Sequence, residues 1–202
     1  MRTAPVLASL FLLGVCSAGT ITITETGTAT GTLGSNSFTN SQITVIFTGN
    51  TANTSCGFDA CVNFGGTLTI NVASLSQTVS LTDQPGAYSD FSPAEGGLGD
   101  ENLDSSILAT QKAAFAAYNL ASSLGPVTGP YFSNLNLAFP TTGGNLTLTS
   151  AGANSTFTAT VAPATTPEPA PIVLVVVGLA ALAGLRYYSA SLAASASSSF
   201  FK

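Results

Sequence analysis

Histidine and tryptophan are both missing from this 202-residue chain, and lysine and arginine together number four. Without histidine there is no Ser-His-Asp or Cys-His nucleophile system and no His-ligated metal centre. Without tryptophan, a saccharide site lacks the broad indole face that stacks on sugar rings. Charged residues of all kinds make up 6% of the chain, against about a quarter in an ordinary soluble domain. Thr, Ser, Ala, Asn and 20 glycines stand in their place, the composition of strands and turns. The few charges are lopsided. Between Gly19 and Leu185 the acids Glu25, Asp59, Asp83, Asp90, Glu95, Asp100, Glu101, Asp104 and Glu168 face one base, Lys112, a net charge of −8. That sign excludes nucleic acid and anionic headgroups as partners.

Two apolar segments bracket the polar body. Met1-Arg2, an apolar stretch from Val6 to Val15 and then Cys16-Ser17-Ala18 have the layout of a secretory signal peptide over residues 1–18, cleaved by signal peptidase between Ala18 and Gly19. An apolar core of about ten residues is too short for a membrane anchor, which needs roughly 20. The second segment, Ile172 to Leu185, contains no polar side chain and ends in Arg186-Tyr187-Tyr188. Positive charge and aromatic rings at that end predict a membrane helix over 172–188 whose C-terminus faces the cytoplasm. Fourteen residues rise about 21 Å against a hydrocarbon core of ~30 Å. A span this short suits temporary retention.

A linker from Ala162 leads through Thr166-Pro167-Glu168-Pro169-Ala170-Pro171 into that helix. Prolines hold the segment extended and cannot donate backbone hydrogen bonds, so it stays open to a protease, while Glu168 resists entry into lipid. Pro-Glu-Pro, a Gly-containing apolar helix and then Arg resemble the PEP-CTERM sorting signal of exported bacterial proteins. The resemblance covers about the last fifth of the chain. It implies recognition of Pro167, Glu168 and Pro169 by exosortase, a membrane enzyme of transpeptidase type, with Arg186 as the basic stop. It further implies a surface or matrix protein of an exopolysaccharide-making Gram-negative bacterium. The family usually closes on a cluster of arginines; here one arginine is followed by sixteen residues, Tyr187 to Lys202, with a Ser/Ala-rich tail over 189–202. A permanent single-pass anchor is the alternative reading.

The body, 19–161, reads as mainly β. Thr20–Thr26, Ile43–Thr48, Thr67–Val72, Thr78–Thr82, Leu135–Phe139, Leu146–Thr149 and Thr156–Val161 are β-branched with near-alternate polarity. Turn residues at Gly49-Asn50, Gly65-Gly66, Gly143-Gly144 and 151–154 separate them. Strands of about five residues at that spacing predict an antiparallel β-sandwich or open barrel. One short helix is expected from Ser105 to Tyr118, capped by Asp104, with a strand at Ser106–Thr110 and a smaller helix as the competing pattern. Gly31 to Asn40, and Ala114 to Leu120 followed by Ser-Leu-Gly-Pro, resemble uncharacterised domains found above PEP-CTERM tails, a match that implies no activity.

Cys56 and Cys61 remain after signal removal, an even pair in an exported chain and so a disulfide. Asp90, Glu95, Asp100, Glu101 and Asp104 crowd with Gly96, Gly97 and Gly99. The spacing matches no EF-hand and predicts a solvated acidic loop over 90–104, with calcium as the competing ligand. Asp90 and Glu95 could pair as in a glycosidase, and Lys112 could activate a serine, but single pairs of this kind carry little weight. The sequons at Asn53, Asn145 and Asn154 are chance products of a Thr-rich chain. The chain is therefore expected to have no catalytic residues, no cofactor and no metal. The alternative is a carbohydrate-binding or adhesion module using Tyr88, Phe91, Tyr131 and Phe132 on exopolysaccharide. An acid-based hydrolase would require a cleft that gathers at least two carboxylates.

Overall fold

The computed structural model describes residues 18–164 except Leu103. The signal segment, the sorting residues Pro167, Glu168, Pro169 and Arg186, the apolar helix and the Ser/Ala tail lie outside the described residues. Thirteen strands follow in chain order: β1 (Thr20–Leu33), β2 (Asn36–Asn50), β3 (Thr54–Cys56), β4 (Ala60–Phe64), β5 (Thr67–Val72), β6 (Gln77–Ser80) and β7 (Pro85–Phe91). Then come β8 (Ala94–Asp100), β9 (Ser105–Gln111), β10 (Leu124–Phe132), β11 (Ala138–Phe139), β12 (Leu146–Ala151) and β13 (Asn154–Ala162). They form one antiparallel sheet curled into a half-barrel. Its order is β3-β4-β7-β8-β9-β10-β13-β1-β2-β5-β6, with β12 on the second half of β1 and β11 beside it. Among the described residues, no helix is long and apolar enough to cross a membrane.

β1 shows why the sheet forms. Ile21, Ile23, Glu25, Ala29 and Leu33 are buried while the threonines between them are partly or fully exposed, the period of two that a strand with one wet face requires. One edge of β1 pairs with β2 along its length; the other pairs with β13 up to Thr26 and with β12 from Ala29. The register shifts on both edges near Gly31, where a Cβ would lie 2.2 Å from the Thr147 carbonyl oxygen. A bulge at the point where one partner strand replaces another bends the sheet. Phe47, Phe115, Phe139 and Phe157 fill the concave side, with the Phe115 and Phe157 rings edge to face at 5.0 Å.

Two expectations are corrected. Residues 105–118 are not one helix but follow the competing pattern: Ser105–Gln111 is strand β9, followed by a five-residue 3-10 turn, Ala113–Ala117. Ser106 to Thr110 are all buried, because β9 lies between β8 and β10 with both faces covered. A helix with one wet face could not hide five consecutive residues. Asp104 sits at φ 48° in the turn before the strand and does not cap a helix.

Nor is 90–104 a loop, since most of it lies in the β7–β8 hairpin. Its glycines serve close approach, not flexibility. A Cβ on Gly96 would lie 2.3 Å from the Phe115 ring, and one on Gly97 would lie 2.7 Å from the Tyr88 ring. Replacing Gly96 by Ala overpacks a buried ring, and we expect a loss of about 2 kcal/mol in urea unfolding. Opening the Cys56–Cys61 loop by Cys→Ser at both positions should cost roughly 2 kcal/mol while leaving the far-UV spectrum β-rich.

Candidate functional site

The β7–β8 hairpin projects Tyr88 and Asp90 from one strand and Glu95 from the next, with Asp90 directly opposite Glu95 and Tyr88 opposite Gly97. The turn into β9 adds Glu101, Asp104 and Ser105. With Ser106, Phe132, Asn134 and Val62 they line a cleft of about 290 Å³. Four of the five acids of the expected loop therefore meet in one cleft. The fifth, Asp100, is buried, and its Oδ1 accepts from the Asn102 N–H at 3.0 Å. Lys112, the one basic residue in 18–164, is exposed and does not line the cleft.

Small residues in the floor let the larger ones lie across it. A Cβ on Gly86 would meet Glu101 Oε1 at 2.3 Å, so that carboxylate rests on bare backbone. The Tyr88 hydroxyl donates to Glu95 Oε1 at 2.6 Å and contacts Ser106 Oγ at 2.7 Å. With the phenol proton committed to the carboxylate, Ser106 must be the donor in the second contact. Asn134 closes the end: its Oδ1 accepts from the Ser106 N–H at 2.8 Å and its own N–H donates to the Ser106 carbonyl at 3.1 Å, extending the β9 ladder.

Crowded like charges and burial act together here. Burial first, and then the Asp104, Asp100 and Asp90 carboxylates, push Glu101 up to about 7. Asp90 is raised by burial and by Glu95, Asp59 and Asp104. Burial beside Glu95 pushes the Tyr88 phenol well up. Among the described residues, no group of three or more Cys, Asp or Glu side chains is placed to hold a metal ion.

Of the four aromatics expected to serve a saccharide, Tyr88 and Phe132 line the cleft, with Phe132 53% exposed. Phe91 and Tyr131 pack against the core instead. Cys56 and Cys61 are joined as a disulfide across the β3–β4 hairpin, with Phe58 fully exposed at its tip. Gly19 is tied in place: its N–H donates to Thr51 Oγ1 at 3.0 Å and its carbonyl accepts from the Thr51 N–H at 2.9 Å.

Glu25 is an acid that sequence reasoning left unassigned. It is fully buried behind the cleft strands, and Thr110 Oγ1 lies 2.7 Å from its Oε1. Thr110 Oγ1 also lies 2.6 Å from Ser155 Oγ, which donates to the Ala109 carbonyl at 3.0 Å. Thr110 O–H donates to Glu25 Oε1, so the acid is the acceptor at the end of this buried hydroxyl cluster. Burial pushes its pKa from 4.5 up to about 8, opposed by the two hydroxyls and assisted by Glu95. A clue was present in the sequence: Glu25 shares the inward phase of Ile21 and Ile23.

A carboxyl that titrates higher in the fold than in the unfolded chain holds a proton the unfolded chain has lost, so stability falls as pH rises. We expect unfolding free energy to be greatest below about 4.5 and to decline toward about 8, with a slope approaching 1.4 kcal/mol per pH unit, then to level off. Glu25→Gln, whose amide oxygen can still accept from Thr110, should flatten the decline between about 7 and 8 and lessen it below, where Glu101 also titrates high. Urea unfolding at a series of pH values measures both.

No protein-family model, no curated protein and no solved structure matches the chain.

Proposed function

We propose that the chain is an exported, non-enzymatic surface or extracellular-matrix protein of a Gram-negative bacterium. In this reading a signal peptide over 1–18 is removed by signal peptidase. A PEP-CTERM-like tail, with Pro167, Glu168, Pro169 and Arg186 as its recognised residues, is then processed by an exosortase-like membrane enzyme. The helix over 172–188 holds the precursor in the membrane until then. The single observation that carries the reading is the Cys56–Cys61 disulfide, a bond that persists in oxidising compartments. Further support comes from the strands, which begin at Thr20 and end at Ala162, short of both processing sites. We read the half-barrel as an open barrel, not a two-sheet sandwich.

The acidic cleft favours a second reading, in which the displayed domain binds saccharide. Phe132 offers a ring face, while Asp90, Glu95, Glu101 and Asp104 accept hydrogen bonds from sugar hydroxyls. An uncompensated acidic wall selects neutral or basic polymers and repels uronic-acid chains. Hydrolysis is disfavoured although the cleft gathers four carboxylates. Asp90 and Glu95 are neighbours on one wall, and Glu95 is engaged by Tyr88; a glycosidase pair flanks its bond from two sides.

The mass and terminal peptides of the mature protein, recovered separately from membranes and medium, test the first reading. It predicts a start at Gly19 and an end between Pro167 and Pro171; an intact Lys202 in the membrane fraction contradicts it. For the cleft, neutral exopolysaccharide should shift tyrosine fluorescence in the wild type and not in Phe132→Ala, with no reducing ends released. Silence across a panel of neutral and basic polymers would sink the saccharide reading.

A further inference from the structure

Opposite the core, four neighbouring strands carry threonine at nearly every outward position. β13, β1, β2 and β5 pair here without a bulge. Thr160-Thr22-Thr48-Thr67 form one row across the sheet, Thr158-Thr24-Ile46-Thr69 the next and Thr156-Thr26-Thr44-Asn71 the third. The residues between them, such as Ile23, Phe47, Ile70 and Phe157, are buried, which sets the rows outward. Asn71 donates to Thr78 and Thr156 pairs with Thr128; the other nine threonine hydroxyls have no hydrogen-bond partner among the described residues.

We propose that this threonine face binds ice. Side chains two apart on a strand repeat at roughly 6.6 to 6.8 Å, and neighbouring strands at roughly 4.7 to 4.9 Å. These repeats resemble those of oxygen atoms on the prism faces of hexagonal ice. Threonine has few rotamers in a strand, so each site presents one hydroxyl and one methyl in a fixed direction. The methyls order a cage of water and the hydroxyls bond to it.

A two-dimensional period is wasted on a flexible polymer or on liquid water, neither of which repeats. The face also carries no charge, since Glu25, the one acid on these strands, points inward. An ion keeps a liquid hydration shell that a crystal cannot accommodate, and the acids are gathered instead in the cleft. Twist of about 20 to 25° between adjacent strands limits the match to the centre of the patch, which makes Thr24 its critical residue. The surface shares no residue with the cleft.

The test uses the purified full-length chain, with partition into a slowly growing ice front and coarsening of ice crystals in a sucrose film as readouts. Wild-type protein should be enriched in the ice and should halt coarsening. Thr24→Lys, and Thr48→Lys as a second exposed variant, should lose both effects with unchanged circular dichroism and melting temperature. Thr24→Val should keep most of the effect, and Asp90→Asn in the cleft all of it. Exclusion of the wild type from ice overturns the proposal, leaving the threonines as strand-forming residues on a wet face. Ice enrichment that survives both lysine variants overturns it too, by placing the activity elsewhere.

Discussion

The register of β1 is the constraint on which the rest of this molecule depends. A strand's side chains alternate, so a slip of one residue would turn Ile21, Ile23, Glu25 and Leu33 to water and drive threonines into the core. Two long pairings hold it, thirteen aligned positions with β2 and seven with β13. The same alignment does three things at once. It closes the core over Phe47 and Phe157, places Glu25 against Thr110 and Ser155, and lays the threonine rows side by side.

From that register follows a segregation of charge. The strands β13, β1, β2, β5 and β6 carry no charged side chain except buried Glu25, while the β7–β8–β9 side collects the acids of the cleft. With Lys112 the one base in 18–164 and exposed, the cleft's charge is relieved by raised carboxyl protonation and by phenol and hydroxyl donors. A protein built this way presents two unlike surfaces, one acidic and concave, the other neutral and periodic.

Much of the β1–β2–β5–β13 half was legible in the sequence, because those strands have one wet face and so print the period of two. Thr67–Val72 was read to the residue, and Thr156–Val161 lies within β13. The β7–β8–β9 half was opaque for a physical reason. In Ala94–Asp100 glycines occupy strand positions because Phe115 and Tyr88 lie against them, and no local pattern distinguishes such glycines from those of a loop. Ser105–Gln111 read as helix or as a strand at Ser106–Thr110, because a strand covered on both faces loses the alternation that would decide between them. The acids 90–104 were rightly noticed as a group, but their convergence on Phe132 and Asn134 depends on the far end of β10, which only the fold brings near. Glu25 was the one buried acid whose phase was visible and unused.

Residue-resolved native-state hydrogen exchange tests the role of β1 most directly. If its register holds the molecule together, the amides of Ile21 to Thr26 and their partners in β2 and β13 exchange only through global unfolding and are the slowest in the protein. Faster exchange in β1 than in the β7–β8 hairpin would contradict this account and would place the organising structure on the acidic side.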